Sequence, residues 1–234
     1  TLALSATDNV GITAYYASEN NSTPASNAPG WNSVTSSASY SGTVSFTLVS
    51  TGSVGTFSRT VYIWFKDAAG NVSSYSSDAI NLVVTDTTAP ASQSISINSG
   101  EDNTTSTSVT LTLSATDDVG VTAYYASGSS TTPANNASGW NSITGITSYS
   151  ATVIFTLSSE TSAGTYSRTV YVWFKDTAGN VSASASDGIN LIVAETTAPA
   201  NPSISIDSGV SSTTTTSVIL TLSATDNVGV TSFY

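Results

Sequence analysis

The chain has 234 residues, of which 39% are hydrophobic and 8% charged, and it carries a formal net charge of −11. With Lys and Arg together numbering 4, it cannot build the basic cluster that phosphate binding needs, so nucleic acid is excluded as a partner. Cys, His and Met are all absent, which removes disulfides, thiol nucleophiles, imidazole bases and the usual zinc ligands.

Ser and Thr make up about a third of the chain, a composition that can mark disorder. A regular apolar alternation argues against disorder here. No apolar run is long enough to cross a bilayer, and no signal peptide is visible. An internal repeat organises everything else. LALSATDNVGITAYY at 2–16 returns as LTLSATDDVGVTAYY at 111–125 and LTLSATDNVGVTSFY at 220–234. Asp8, Asp117 and Asp226 stand 109 residues apart, and Trp31/Trp140 and Arg59/Arg168 keep the same offset. The expected organisation is therefore a unit without its opening over 1–85, a complete unit over 86–194 and the start of a third over 195–234, cut from a longer polypeptide. A unit of this size can bury its own core. Tandem copies work by length and multiplicity, presenting one surface again and again.

In the complete unit the predicted elements follow a period of two. Strand A is expected over about 93–98, where Ile95 and Ile97 alternate with serines, and strand B over 108–116, where Val109, Leu111, Leu113 and Ala115 alternate with Thr and Ser. Strand C follows over 121–127, C′ over 140–146 and E over 148–158. Strand F over 168–176 directs Val170, Val172 and Phe174 to the core, and strand G over 188–194 adds Ile189, Leu191 and Val193. Ser99-Gly100, Asp118-Val119-Gly120, Ala163-Gly164 and Ala178-Gly179-Asn180 supply turn chemistry between them. Seven short antiparallel strands predict an all-β fold of tandem immunoglobulin-like (fibronectin III-like) seven-stranded β-sandwiches.

DTTAP opening a unit, SATDxVGV after strand B and KDxAGN after strand F together resemble the bacterial immunoglobulin-like repeats of giant surface adhesins. The resemblance runs the length of the chain. It implies an extracellular or bacterial cell-surface protein whose domains stack end to end, with calcium stiffening the junctions. The long segment Gly128–Ile146, with Pro133 and Trp140, departs from that pattern.

Sandwich topology brings the scattered acids to one pole. For the complete unit these are Asp86, Asp117, Asp118 and Asp176 with Asn180; the first unit offers Asp8, Asn9, Asp67 and Asn71, and the third Glu195, Asp226 and Asn227. Carboxylates and amides of this kind suit calcium, which takes six to eight oxygens. The alternative is that Asp and Asn simply serve the turns, since a D-x-x-G-N hairpin needs no metal.

Strand F also has a second face. If Val170, Val172 and Phe174 point inward, Tyr171, Trp173 and Lys175 point outward, joined by Tyr124 from strand C; Tyr62, Trp64 and Lys66 repeat the arrangement. Three readings compete for this aromatic stripe: a satellite core covered by the long C–E segment, a lateral interface between chains, or sugar stacking. An outward Lys175 argues against an intramolecular isopeptide bond. Enzymatic chemistry has no support, for the Ser-rich stretches lack a nucleophile elbow and the acids gather at a junction instead of a large pocket. The leading expectation is a non-enzymatic structural segment forming an extended rod, its partners being neighbouring repeats and, in a filament, other copies. A glycan- or host-binding module is the alternative.

Overall fold

A computed structural model describes all residues from Thr1 to Tyr234 and divides the chain into two compact units, Thr1–Asp86 and Thr87–Tyr234. The protein is all-β, with one turn of 3-10 helix at Asp207–Gly209. Its several sheets are consistent with a β-sandwich.

The first unit holds β1 (Leu2–Ser18), β2 (Asn32–Val44), β3 (Gly55–Asp67) and β4 (Ser76–Val84) in one sheet of order β2-β1-β3-β4. The second holds β5 (Ala91–Ile97), β6 (Asn103–Thr104), β7 (Ser108–Ser127), β8 (Asn141–Thr156), β9 (Gly164–Asp176) and β10 (Ala185–Val193). Their order is β5-β7-β9-β10-β6, with β8 also on β7. The remaining strands, β11 (Ala200–Ile206) and β12 (Leu220–Thr225), form a two-stranded sheet of their own.

Predicted strands B and C are one continuous strand, β7, and C′ and E are likewise one strand, β8. The reason lies in four residues. Between Thr116 and Val121 the register shifts, and Gly120 adopts φ 146°. The Asp117 carboxylate accepts the Val119 and Gly120 N–H groups at 3.1 and 2.6 Å and so fixes the corner. A bulge of this kind bends the chain without ending the ladder. The first half of β7 thus pairs with β5 and the end of β8, while its second half pairs with β9 and the start of β8.

Ile97, Leu111 and Leu113 from one half meet Val170, Val172 and Phe174 from the other in the buried core, with Ile189 from β10. The alternation of apolar residues with Thr and Ser along β7 explains why these side chains reach it together. In the first unit Leu4, Ile12, Val61 and Trp64 are buried.

Candidate functional site

The structure gives the acids that the sequence gathered at one pole different hydrogen-bond partners. Asp176 is consumed by its own turn. Its Oδ1 accepts the Gly179 and Asn180 N–H groups at 2.7 and 2.8 Å, and its Oδ2 accepts the Asn180 side-chain amide at 2.7 Å. The same amide reaches the Thr88 carbonyl at 3.5 Å, tying the β9–β10 turn to the linker. Asp67 repeats the construction with Asn71, at 2.8 Å to the backbone and 2.7 Å to the side chain. The Asn71 side chain, foremost among these donors, holds the Asp67 carboxyl below its ordinary value. Asp176 with Asn180, and Asp67 with Asn71, therefore build turns in which both carboxylate oxygens of each Asp accept from N–H donors.

Asp8, Asp117 and Asp226 occupy equivalent corners. Asp8 accepts the Val10 and Gly11 N–H groups at 2.9 and 2.6 Å, and Asp226 accepts those of Val228 and Gly229, both at 2.9 Å. The Gly229 N–H, then that of Val228, lowers the Asp226 carboxyl below its usual range. Each corner uses one carboxylate oxygen only. At Asp117 the other, Oδ2, is buried with no hydrogen-bond partner in a side chain 8% exposed. Such an orphaned charge-bearing oxygen is costly unless something supplies a positive counterpart. Asp226 Oδ2 is likewise without a partner.

Asp86, Asp117 and Asp118 each bring one carboxylate oxygen within 4.8 Å of the others, and Asp118 is exposed while the other two are buried. Three carboxylates at this spacing form a hard-oxygen donor set of the kind that binds calcium or magnesium, and it contains no soft ligand. Asp176 and Asn180 do not belong to that group. Glu195 is turned onto its own linker, where it accepts the Thr197 N–H.

The aromatic stripe is overturned as an exposed surface. Trp173 is 1% exposed and Trp64 is fully buried. The segment preceding Trp140 covers this face, as the satellite-core alternative has it. Trp140 donates its indole N–H to the Ala134 carbonyl at 2.9 Å and packs edge-on to Tyr125, which in turn packs edge-on to Trp173. Lys175 clamps the cover from outside, its Nζ donating to the Asn135 carbonyl at 2.7 Å and standing 4.7 Å from the Trp140 ring centre. Lys66, Ser26 and Trp31 repeat the clamp at 2.8 and 4.6 Å. Tyr171 and Tyr62 flank the buried tryptophans and are half-buried.

Tyr124 is also corrected. The register shift between Val121 and Ala123 advances the alternation by one residue, so Tyr124 lies opposite Phe174 and Tyr125 opposite Trp173. Tyr124 then packs on the core and stacks with Tyr149 at 6.4 Å. Burial raises the Tyr124 hydroxyl above its ordinary value, and burial followed by the neighbouring Tyr124 raises Tyr149.

Two functional groups escaped the sequence reading. Thr122 donates its hydroxyl to the Asp176 carbonyl at 2.6 Å, and Thr13 does the same to Asp67 at 2.9 Å. Asp187 accepts the Ile97 N–H at 2.7 Å, anchoring β5 to β10. Their recurrence at the repeat offset, Thr13/Thr122 and Asp78/Asp187, was the available signal.

No family model and no curated protein matches the chain. No helix is long and apolar enough to cross a membrane.

Proposed function

We propose that this chain is a non-enzymatic structural segment of a large bacterial surface or extracellular repeat protein, built from tandem immunoglobulin-like, fibronectin III-like units that stack into an extended rod. One observation carries the reading. The same local construction recurs at the repeat offset, from the corner bonds of Asp8, Asp117 and Asp226 to the lysine clamps of Lys66 and Lys175. Repetition of scaffold and surface together suits a protein that acts through length and multiplicity.

Calcium is the cofactor of this reading. Asp86, Asp117 and Asp118 would hold it, and the buried, partnerless Asp117 Oδ2 fits a cation. A bound ion would neutralise that charge. The aromatic stripe on which a glycan-binding module would rest is withdrawn with the burial of Trp64 and Trp173.

Calorimetric titration of calcium into the chain, with melting curves in calcium and in chelator, tests the proposal. Saturable binding and a raised Tm are expected. Asp117→Asn, which keeps the corner acceptor but removes the charge, should abolish both. A Tm indifferent to calcium would reject the ion, and a compact particle in small-angle scattering of a longer repeat array would reject the rod.

A further inference from the structure

Six Asn residues stand two places before a Ser or Thr with no Pro between, the tripeptide that N-linked glycan transfer uses: Asn20, Asn21, Asn71, Asn103, Asn136 and Asn180. The chain is rich in Ser and Thr, so the tripeptide alone selects nothing. The structure sorts the six. Asn71 and Asn180 are closed as acceptors, because their side-chain amides donate to Asp67 and Asp176 at 2.7 Å. The hydroxyls two places on are engaged as well. Ser73 accepts the Phe65 N–H at 3.0 Å and donates to the Ser74 carbonyl at 2.7 Å, and Ser182 does the same with Phe174 and Ala183 at 2.9 and 2.7 Å. Asn136 sits inside the turn that the Ala137 N–H closes on the Ala134 carbonyl at 3.0 Å. Asn20 spends its side-chain oxygen on the Ser22 N–H at 2.9 Å.

Two tripeptides remain, and both belong to a longer pattern. Glu19-Asn20-Asn21-Ser22-Thr23 and Glu101-Asp102-Asn103-Thr104-Thr105 each place an acid two residues before the Asn and a Thr two residues after it. With Asp and Glu numbering 15 in 234 residues, composition alone rarely supplies that acid. A carboxylate in this position offers a cationic pocket a charge-assisted contact beside the amide, and bacterial transferases of this class require one. The two patterns differ in whether the acid is free. Glu19 is held within its own unit, one oxygen accepting the Val49 N–H at 2.6 Å and the other lying 3.8 Å from the Arg59 guanidinium, with the side chain 16% exposed. Glu101 is exposed and carries no such bond.

Asn103 itself is accessible. It is exposed, and so is Thr105. Its side-chain oxygen accepts from the Asn190 amide at 3.4 Å, which leaves the Asn103 nitrogen uncommitted. Little ties the segment down. β6 pairs Asn103 with Asn190 and Thr104 with Leu191, and the Asp102 carbonyl accepts the Asn190 N–H at 3.0 Å. An edge strand this short can leave β10 and bend into a transferase without opening the core.

We propose that Asn103 is an N-glycosylation site. Its Nδ2 bonds to C1 of an oligosaccharide carried on a lipid diphosphate. The C1–O bond breaks, the lipid diphosphate leaves with the electron pair, and one Nδ2 proton passes to the transferase. The glycan then stands at the outer edge of β10, most of which β6 leaves uncovered, and keeps other strands from pairing there. Such a modification belongs to an extracellular setting, as proposed above; the acceptor chemistry does not depend on it.

Transfer in vitro to the folded full chain is the test, using a purified bacterial oligosaccharyltransferase with its lipid-linked oligosaccharide and reading intact mass and glycopeptide sequence. One glycan, at Asn103, is expected. Asn103→Gln and Thr105→Ala should each abolish it, and Glu101→Gln should slow it by about tenfold through the lost charged contact. All three positions are exposed, so the variants should keep the parent's melting transition. Unfolding frees Glu19, so the denatured chain should gain a second glycan at Asn21. A folded chain left unmodified beside a glycosylated Glu-Asp-Asn-Thr-Thr peptide would overturn the proposal, as would transfer that persists in Asn103→Gln. Neither result bears on the rod or its calcium, which calorimetry and scattering decide.

Discussion

The Asp117 carboxylate and the Gly120 N–H are joined at 2.6 Å across the corner where β7 passes from one half of the sheet to the other. Gly120 is required there. Its φ of 146° disfavours side chains, and an added Cβ would meet the Gly145 carbonyl carbon and the Ile146 nitrogen at 3.3 Å each. Both neighbours are backbone and cannot swing aside. Gly120→Ala should destabilise the second unit by about 2–3 kcal/mol. Thermal unfolding would read this as a Tm lowered by on the order of 10 °C. Asp117→Ala should cost about 1–2 kcal/mol, through the two N–H groups it leaves unmet.

The tryptophan cover gives a spectroscopic prediction. Trp140→Ala removes the ring that packs on Tyr125 and receives the Lys175 ammonium. Stability should fall by about 2 kcal/mol. Trp173 should become accessible to water, so emission shifts to the red and acrylamide quenching rises. Lys175→Met should give a smaller loss, about 0.5–1 kcal/mol, with little change in quenching.

Acid titration isolates the D-x-x-G-N turns. The Asp67 carboxyl is held below 3.8 in the folded chain, chiefly by the Asn71 side chain. Its contribution to stability is complete above that unfolded value and is lost as pH falls through the lower folded one. Asp67→Asn should therefore lower the neutral plateau of the first unit's Tm profile and flatten its acid limb, because the contribution it removes is the one present at neutral pH. Asp226, lowered by the Gly229 and Val228 N–H groups, should behave in the same sense.

The stacked tyrosines act at the other end of the scale. Burial favours the neutral hydroxyls of Tyr124 and Tyr149, raising both above 10.0. Stability from this source is present below 10.0 and is lost as pH rises through the folded values. Phenolate absorbance should show these two residues ionising after the exposed tyrosines, with Tyr149→Phe removing one late step.

Where residues face one way for one reason, the sequence is easily read. Val109, Leu111 and Leu113, and equally Val170, Val172 and Phe174, lie in the core as their spacing says. Reading by strict alternation fails at Tyr124, because the extra residue between Val121 and Ala123 turns every later side chain over. It fails again at Trp173, whose cover comes from a loop with no period of its own. The acids were legible as a group but not by occupation. Nothing in the spacing of Asp176 and Asn180 distinguishes a metal ligand from a carboxylate satisfied by its own turn, whereas Asp117 differs in having an oxygen left over.

Because β7 and β8 each run through both halves of the sandwich, neither half of the second unit can come apart while the other stays folded. Local opening that spares Leu111 but releases Phe174 would have to tear the middle of a continuous strand. The amide protons of the two halves should accordingly exchange with solvent in step, at the rate of whole-unit unfolding, and fraying should be confined to strand ends and loops.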